Sequence, residues 1–382
     1  MGYLYKTARD IKNSIPVVRD VYAWLRRVTY VAPRRDNSYA GRLAAETVIF
    51  EDMDEVHQLP PIFHYWSNKY LRPMLEEYGF SNSDQFFAKF LLESAAARGV
   101  GEPAFLSLGA GNCDTEIRVA KLLREAGLLR FTIECLDLNP SMLRRGREMA
   151  EAEGVAAHVV TVEGDFNRWR ATKNYDAIIA NQSLHHVVNL EGLFAEVRRG
   201  LADGAYFIVD DIIGRKGHQR WPEALTEVRR FWRELPRAYR RNRQLDRYER
   251  TYRNWDCSTE GFEGIRAEDI LPLLIERFDF RMFVGFANVV DVFIDRAFGH
   301  NFDADAAWDR DFIDRVHAFD EQALQSGSLT PTHMMAVLTG GASEQRIFSR
   351  GMSPEASVRE RGSRWRRARG KTIAPVGMES SA

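Results

Sequence analysis

The sequence predicts an α/β protein built on a doubly wound, mostly parallel sheet. Two observations carry this expectation. From Ala104 onward, short unbroken apolar runs alternate with amphipathic segments, and the first run, "AFLSL", stops at two glycines one residue apart, Gly109 and Gly111. Strands covered on both faces read as continuous apolar runs, and a helix after each is what a parallel sheet requires.

The whole chain bounds the reading. Its 382 residues suit one main domain with additions. A composition 45% hydrophobic and 28% charged is that of a soluble globular protein, and a net charge of -1 gives no global reason to expect nucleic acid. Cys113, Cys135 and Cys257 form no C-x-x-C pair, so neither a disulfide framework nor a zinc knuckle is expected, and the cytoplasm is the natural compartment. No apolar run has the length of a membrane span, and the first 27 residues lack the core of a signal peptide.

In chain order, residues 3–30 space Leu4, Ile11, Ile15, Val18, Tyr22, Leu25 and Val28 as a basic amphipathic helix, broken at Pro16. It can pack on its own domain or make a peripheral contact with an anionic membrane. Residues 60–98 carry further helical patterning, with Ser81 or Ser83 as N-cap, so 1–100 is expected to be a helical extension. Within 101–340, "AFLSL" leads to a helix near Asp114, "FTIECL" to one near Ser141, "AHVVTV" to a loop and "YDAIIA" to a helix near Leu190, before "AYFIVD". A helical cap follows over about 212–275, and the strand rhythm resumes at "FRMFVGFA" and "HMMAVLT". Between Arg215 and Arg253 the cap holds thirteen Lys/Arg against five Asp/Glu, either a solvated helix face or a surface that collects an anion. Residues 341–382 are polar and Arg-rich without apolar period, and are expected to be a disordered basic tail.

In a doubly wound sheet, ligands bind beyond the carboxyl ends of the strands, which is where Gly109 and Gly111 fall. A dinucleotide fingerprint needs a third small residue, and Asp114 stands there instead, where a carboxylate opposes a pyrophosphate. The loop therefore suits a nucleoside without phosphate. Asp137, ending the second run, can accept hydrogen bonds from both ribose hydroxyls, with Leu138 and Met142 flanking an adenine. After the third run, Asp165 can accept the adenine amino group and Phe166 can stack on the ring.

In "LSLGAGNCDTE", "LDLNPSM", "EGDF" and "YDAIIANQSLHHV" the sequence resembles the class I S-adenosylmethionine-dependent methyltransferases over about residues 104–210. The resemblance implies a Rossmann-like, seven-stranded sheet and S-adenosylmethionine as cofactor. It also implies a cofactor site of Gly109, Gly111, Asp137, Leu138, Met142, Asp165, Phe166 and, at the end of the fourth run, Asn181. One departure stands out: the family usually carries an acid two positions before the first glycine to position the cofactor's amino-acid end, and this chain has Ser107. Asp114 or Glu116 are the acids close enough in sequence to compensate.

Methyl transfer to a hydroxyl gains from a base. His185 and His186, past the fourth run, are the first candidates, then Asp211 or Asp210, of which alternation on a strand lets one reach the pocket, then His218. No His/Cys set has metal-ligand spacing, so no metal is expected, although the paired acids Asp210 and Asp211 leave a divalent ion open. Arg215, Arg220, Arg229 and Arg233 in the cap suggest an anionic small-molecule or glycan acceptor, and the phrase from Asp210 to Arg240 looks like the insert of methyltransferases from bacterial polysaccharide and secondary-metabolite pathways. The expected reaction is O-methylation of a small molecule or sugar precursor; N-methylation and a non-catalytic cofactor-binding scaffold are the alternatives.

Overall fold

The computed structural model describes residues 38–43, 59–259, 261–343 and 345–359. Its centre is one mixed sheet that follows the apolar runs: β1 (Ala104–Leu108), β2 (Thr132–Asp137), β3 (Val159–Glu163), β4 (Tyr175–Asn181) and β5 (Leu201–Ile212). A small separate hairpin follows, β6 (Arg241–Asn242) with β7 (Arg247–Tyr248), and then β8 (Asp279–Phe286), β9 (His333–Thr339) and β10 (Ile347–Phe348). The order across the main sheet is β10-β8-β9-β5-β4-β1-β2-β3. β1 to β5 pair in parallel, while β9 runs antiparallel to both β5 and β8.

The sheet holds eight strands, not seven. The addition is β10, paired in parallel with β8 through Ile347 and Phe348, inside the stretch expected to be a disordered tail. Ordered chain continues to Arg359 because contacts hold it: Arg350 donates to Gly285 O at 2.8 Å, and Arg359 pairs with Glu223 at 2.6 Å. The amphipathic helix expected over residues 3–30, and its membrane contact, lie outside the described residues. Among those described, no helix is long and apolar enough to cross a membrane.

The helices lie on both faces. α1 (Ser83–Arg98) packs Phe86, Phe87, Phe90 and Leu91 into the core beside the sheet, and Ser94 Oγ donates to Asp176 O at 2.5 Å while accepting Tyr206 N at 3.1 Å. Its N-cap is neither expected serine but Asn82 between them, whose side chain accepts from Gln85 N at 3.0 Å. α2 (Asp114–Glu125), α3 (Pro140–Ala152) and α4 (Leu190–Gly200) stand where the amphipathic segments predict them. α3 and α4 start at asparagine caps, Asn139 and Asn189, whose side chains accept the first free amides.

The cap contains α5 (Pro222–Glu234), and α6 (Ala267–Arg277) returns the chain to the sheet. Phe231 and Trp232 of α5 are buried against Phe293, Phe298 and Phe312, so they are core residues and not a stacking surface for an acceptor. Phe312 belongs to α7 (Ala307–Gln325), the long helix before β9. The chain winds outward in opposite senses from β1 and β4, and the crevice this opens at their carboxyl ends is where the site forms.

Candidate functional site

The glycine loop leaves β1 by bonding to the next strand: Gly109 N and Ala110 N both donate to Leu136 O, at 2.8 and 3.1 Å. Gly109 and Gly111 hold φ of +74° and +55°, a region that L side chains rarely adopt. A Cβ on Gly109 would lie 2.6 Å from Cβ of Ser183, and one on Gly111 would lie 3.2 Å from Cε of Met142. Gly109 is therefore required by space as well as by φ, whereas at Gly111 φ decides, because the tip of Met142 would have to give by only a few tenths of an ångström. Phe166 stands 3.6 Å from the same Gly109 position. Gly109, Gly111, Met142 and Phe166 thus form one cradle, with Ser183 on its far wall.

Asp137 ties the cradle together. Its Oδ2 accepts from Gly111 N at 2.9 Å and its Oδ1 from Asn139 N at 2.8 Å, and burial pushes its carboxyl up against the pull of these amides. Each oxygen keeps a second lone pair for a hydroxyl. Leu138 is half-buried and packs on the cluster that contains Phe166. Asn181 is drawn elsewhere: its amide donates to Thr115 Oγ1 at 3.0 Å, joining β4 to the start of α2.

Asp165 accepts Asn167 N on one oxygen at 2.9 Å and the Tyr39 hydroxyl on the other at 2.6 Å. Tyr39 lies in a short helical segment, 39–43, held by Arg42, which donates to Ser258 O and Gly261 O at 2.9 and 2.7 Å. Nothing in the sequence around Tyr39 signals this contact, because the two residues are 126 positions apart.

At Ser107 the missing acid is supplied from α2. Ser107 Oγ donates to Glu116 Oε1 at 2.6 Å, and both side chains are buried. Among the described residues Glu116 Oε2 has no hydrogen-bond partner, and burial raises the carboxyl to about 7. Of the two acids near enough in sequence, Glu116 is the one that reaches the Ser107 position.

The fourth and fifth strands end in a second constellation. Asp211 is fully buried: Oδ2 accepts Ser183 N and Leu184 N at 2.9 and 2.7 Å, and Oδ1 accepts Ile212 N at 2.7 Å and faces His185 Nδ1 at 2.6 Å. Burial works to raise this carboxyl, but His185 and the amides outweigh it and hold it below the usual range. Asp210 points the other way, accepting from Ser83 Oγ at 2.6 Å and Gln182 Nε2 at 3.2 Å, and burial raises it to about 7. Alternation along β5 has separated the two acids, and Asp211 is the one on the histidine side.

His185, His186 and His218 all meet Glu263, from the segment between the cap and α6. His185 Nε2 lies 3.6 Å from Glu263 Oε1, His186 Nε2 lies 3.5 Å from Oε2, and His218 Nε2 lies 2.5 Å from Oε1. Burial opposes ionisation of Glu263, but the three histidines overcome it and hold its carboxyl well below the usual value. Glu263 was not singled out in the sequence. Its one local signal is a pair of flanking glycines at φ +61° and +62°, Gly261 and Gly264, of which Gly264 leaves room for Gly217 and His218. Three segments build this cluster, so no linear spacing announces it.

The cap arginines do not converge on this site as one anion-binding surface. Arg220 is buried against Asp291, and Arg215 lies over the Trp221 ring at 5.2 Å.

A doubly wound sheet, a glycine cradle with an acid at the end of the next strand and a second acid after the third define a nucleoside-binding α/β domain. Residues 105–204 match the family model described as "Methyltransferase domain". An 84-residue stretch is 32% identical to sterol 24-C-methyltransferase ERG6B of Gibberella zeae, covering 21% of this chain and 22% of that protein, so the chain spans about a fifth of this curated relative. Among solved structures, the chain is similar to geranyl diphosphate C-methyltransferase of Streptomyces coelicolor, at a TM-score of 0.43 and 11% identity over 78% of this chain and 98% of that one. It is also similar to the O-methyltransferase from a trans-AT PKS multienzyme of Brevibacillus brevis, at a TM-score of 0.39 and 11% identity over 76% and 85% of the two chains.

Proposed function

We propose that the protein is an S-adenosylmethionine-dependent methyltransferase that methylates a hydroxyl of a small molecule or sugar precursor. The observation that carries the reading is the cradle of Gly109, Gly111 and Asp137, with the histidine cluster on the opposite side of Ser183. The residues present fit the cofactor: a Cβ would fill the cradle, and Glu116 Oε2 is a buried acceptor with no partner among the described residues, suited to an ammonium group.

Asp137 would take the ribose hydroxyls, Met142 and Phe166 would enclose the adenosine, Asp165 would accept the adenine amino group, and Glu116 would hold the amino-acid end. Bound there, S-adenosylmethionine would supply an electrophilic sulfonium methyl for an acceptor oxygen, with S-adenosylhomocysteine as the leaving group and a methyl ether and one proton as the other products. The protein's task is to align the acceptor, exclude water and receive that proton. Asp211 fixes the proton of His185 on Nδ1 and leaves Nε2 directed at the cluster of His186 and Glu263, so the acceptor's proton can leave into this cluster.

Calorimetric titration with S-adenosylmethionine, S-adenosylhomocysteine and NAD tests the reading, beside an Asp137→Ala variant. Both adenosyl ligands are expected to bind, NAD is not, and the variant is expected to lose at least about tenfold in affinity, as two charged hydrogen bonds disappear. Release of S-adenosylhomocysteine in the presence of hydroxylated acceptors then separates an enzyme from a non-catalytic binding protein.

A further inference from the structure

We infer that His185, His186 and Glu263 form a binding site for a divalent transition-metal ion, with His218 and Cys257 as further donors at its edge. The ligand atoms of His185, His186 and Glu263 lie within 4.8 Å of one another, and those of His218, Cys257 and Glu263 do so as well, so Glu263 is the shared hub. Two imidazoles and a carboxylate are an established donor set for zinc and other first-row ions, and a thiol within reach favours these over magnesium or calcium.

Three features support an ion at this place. His185 Nε2 and His186 Nε2 stand 3.6 and 3.5 Å from the Glu263 oxygens, too long for a hydrogen bond. Donors at about 2.0–2.2 Å from one tetrahedral ion are about 3.3–3.6 Å apart; the two imidazole-to-carboxylate distances have that spacing, and the whole set lies within 4.8 Å. Asp211 holds His185 by Nδ1, the carboxylate–histidine arrangement that orients metal-binding imidazoles, and is itself locked by three backbone amides. Finally, His218 is kept beside Glu263 at φ +52°, a strained backbone for a residue with a Cβ, next to Gly217 at φ +63°.

The role of the ion, though not its binding, rests on the methyl-transfer reading. An ion at this place would take the acceptor's hydroxyl oxygen and lower its pKa. His218, whose Nε2 stays with Glu263 and whose buried Nδ1 has no hydrogen-bond partner among the described residues, is then placed to receive the proton on Nδ1 in place of a bond to the ion.

The test is metal binding read without turnover. The full-length protein, stripped with a chelator, is titrated with Zn(II) by calorimetry and with Co(II) by visible absorption, with Mg(II) as comparison. One equivalent of Zn(II), an intense tetrahedral Co(II) spectrum and no Mg(II) binding are expected. Glu263→Gln is expected to abolish both signals, and Asp211→Asn to weaken Zn(II) by about 10- to 100-fold. S-adenosylhomocysteine affinity, measured on the same samples, reports whether each variant is folded, and His186→Gln serves where Glu263→Gln is not. Failure of the wild type to take one equivalent of Zn(II), or equal affinity in a folded variant lacking Glu263 or His186, overturns the site. Either result leaves the methyl-transfer reading to its own titration.

Discussion

Glu116, the acid assigned above to the cofactor's amino-acid end in the proposed function, carries a cost in stability. Burial lifts its carboxyl from 4.5 to about 7, so the folded protein keeps this proton over a range where the unfolded chain has released it. Between those values the unfolded state binds fewer protons, and stability falls as pH rises; below about 4.5 there is no penalty, and above about 7 it is constant. The penalty at pH 8 is on the order of 3 kcal/mol. Glu116→Gln is therefore expected to melt higher than the wild type at pH 8 and at the same temperature near pH 4, while binding S-adenosylmethionine roughly 10- to 100-fold more weakly. Thermal unfolding across pH, with calorimetry on the same samples, checks both halves. A variant that gains stability and keeps its affinity would remove Glu116 from the cofactor site.

At the scale of elements, the sheet is held from outside by α1, whose Phe86 is fully buried among Phe80, Phe87 and Phe90. Phe86→Ala is expected to destabilise the protein by about 3–5 kcal/mol, read as a lower urea midpoint, because the ring leaves a cavity that its neighbours cannot close. β1 to β5 and α2 to α4 were legible in the sequence for a common reason: each is short, apolar in the right period and followed by a turn with its own chemistry, such as Asn139 before Pro140. The meeting of Gly109, Gly111 and Asp137 was legible too, since they follow one another at successive strand ends. Glu263 and Tyr39 were not, because they enter from loops whose position depends on the finished fold. Asn181 sits at the strand end where the sequence puts it, and its bond to Thr115 is again one that only the finished fold shows. The cap arginines misled through charge alone, since nothing local shows that Arg220 will meet Asp291, 71 residues later.

For the molecule as a whole, the notable addition is the return of the chain after β9. β10 covers the outer side of β8, and Arg359 reaches Glu223 on α5, so the sheet's edge and the cap are fastened by one segment. Ending the chain at Gly340 would bare β8, an apolar strand whose Phe283 and Val284 are buried, and would release the cap. Such a truncation is expected to lower the melting temperature and to aggregate on heating, as an exposed strand edge invites pairing with another copy. Light scattering during a thermal ramp, compared with the full chain, reads the outcome directly.

The bond between Tyr39 and Asp165 sets a kinetic condition on occupancy. A carboxylate expected to recognise an incoming base already holds a phenol at 2.6 Å, so each arrival and each departure has to renegotiate that contact. On the proposed function, Tyr39 would act as a latch on the exchange of cofactor for spent product. Tyr39→Phe, which keeps the ring and removes the hydroxyl, is expected to quicken both association and release of S-adenosylhomocysteine in stopped-flow fluorescence while changing its equilibrium affinity little. Where product release limits turnover, the unlatched protein would then cycle faster than the one nature kept.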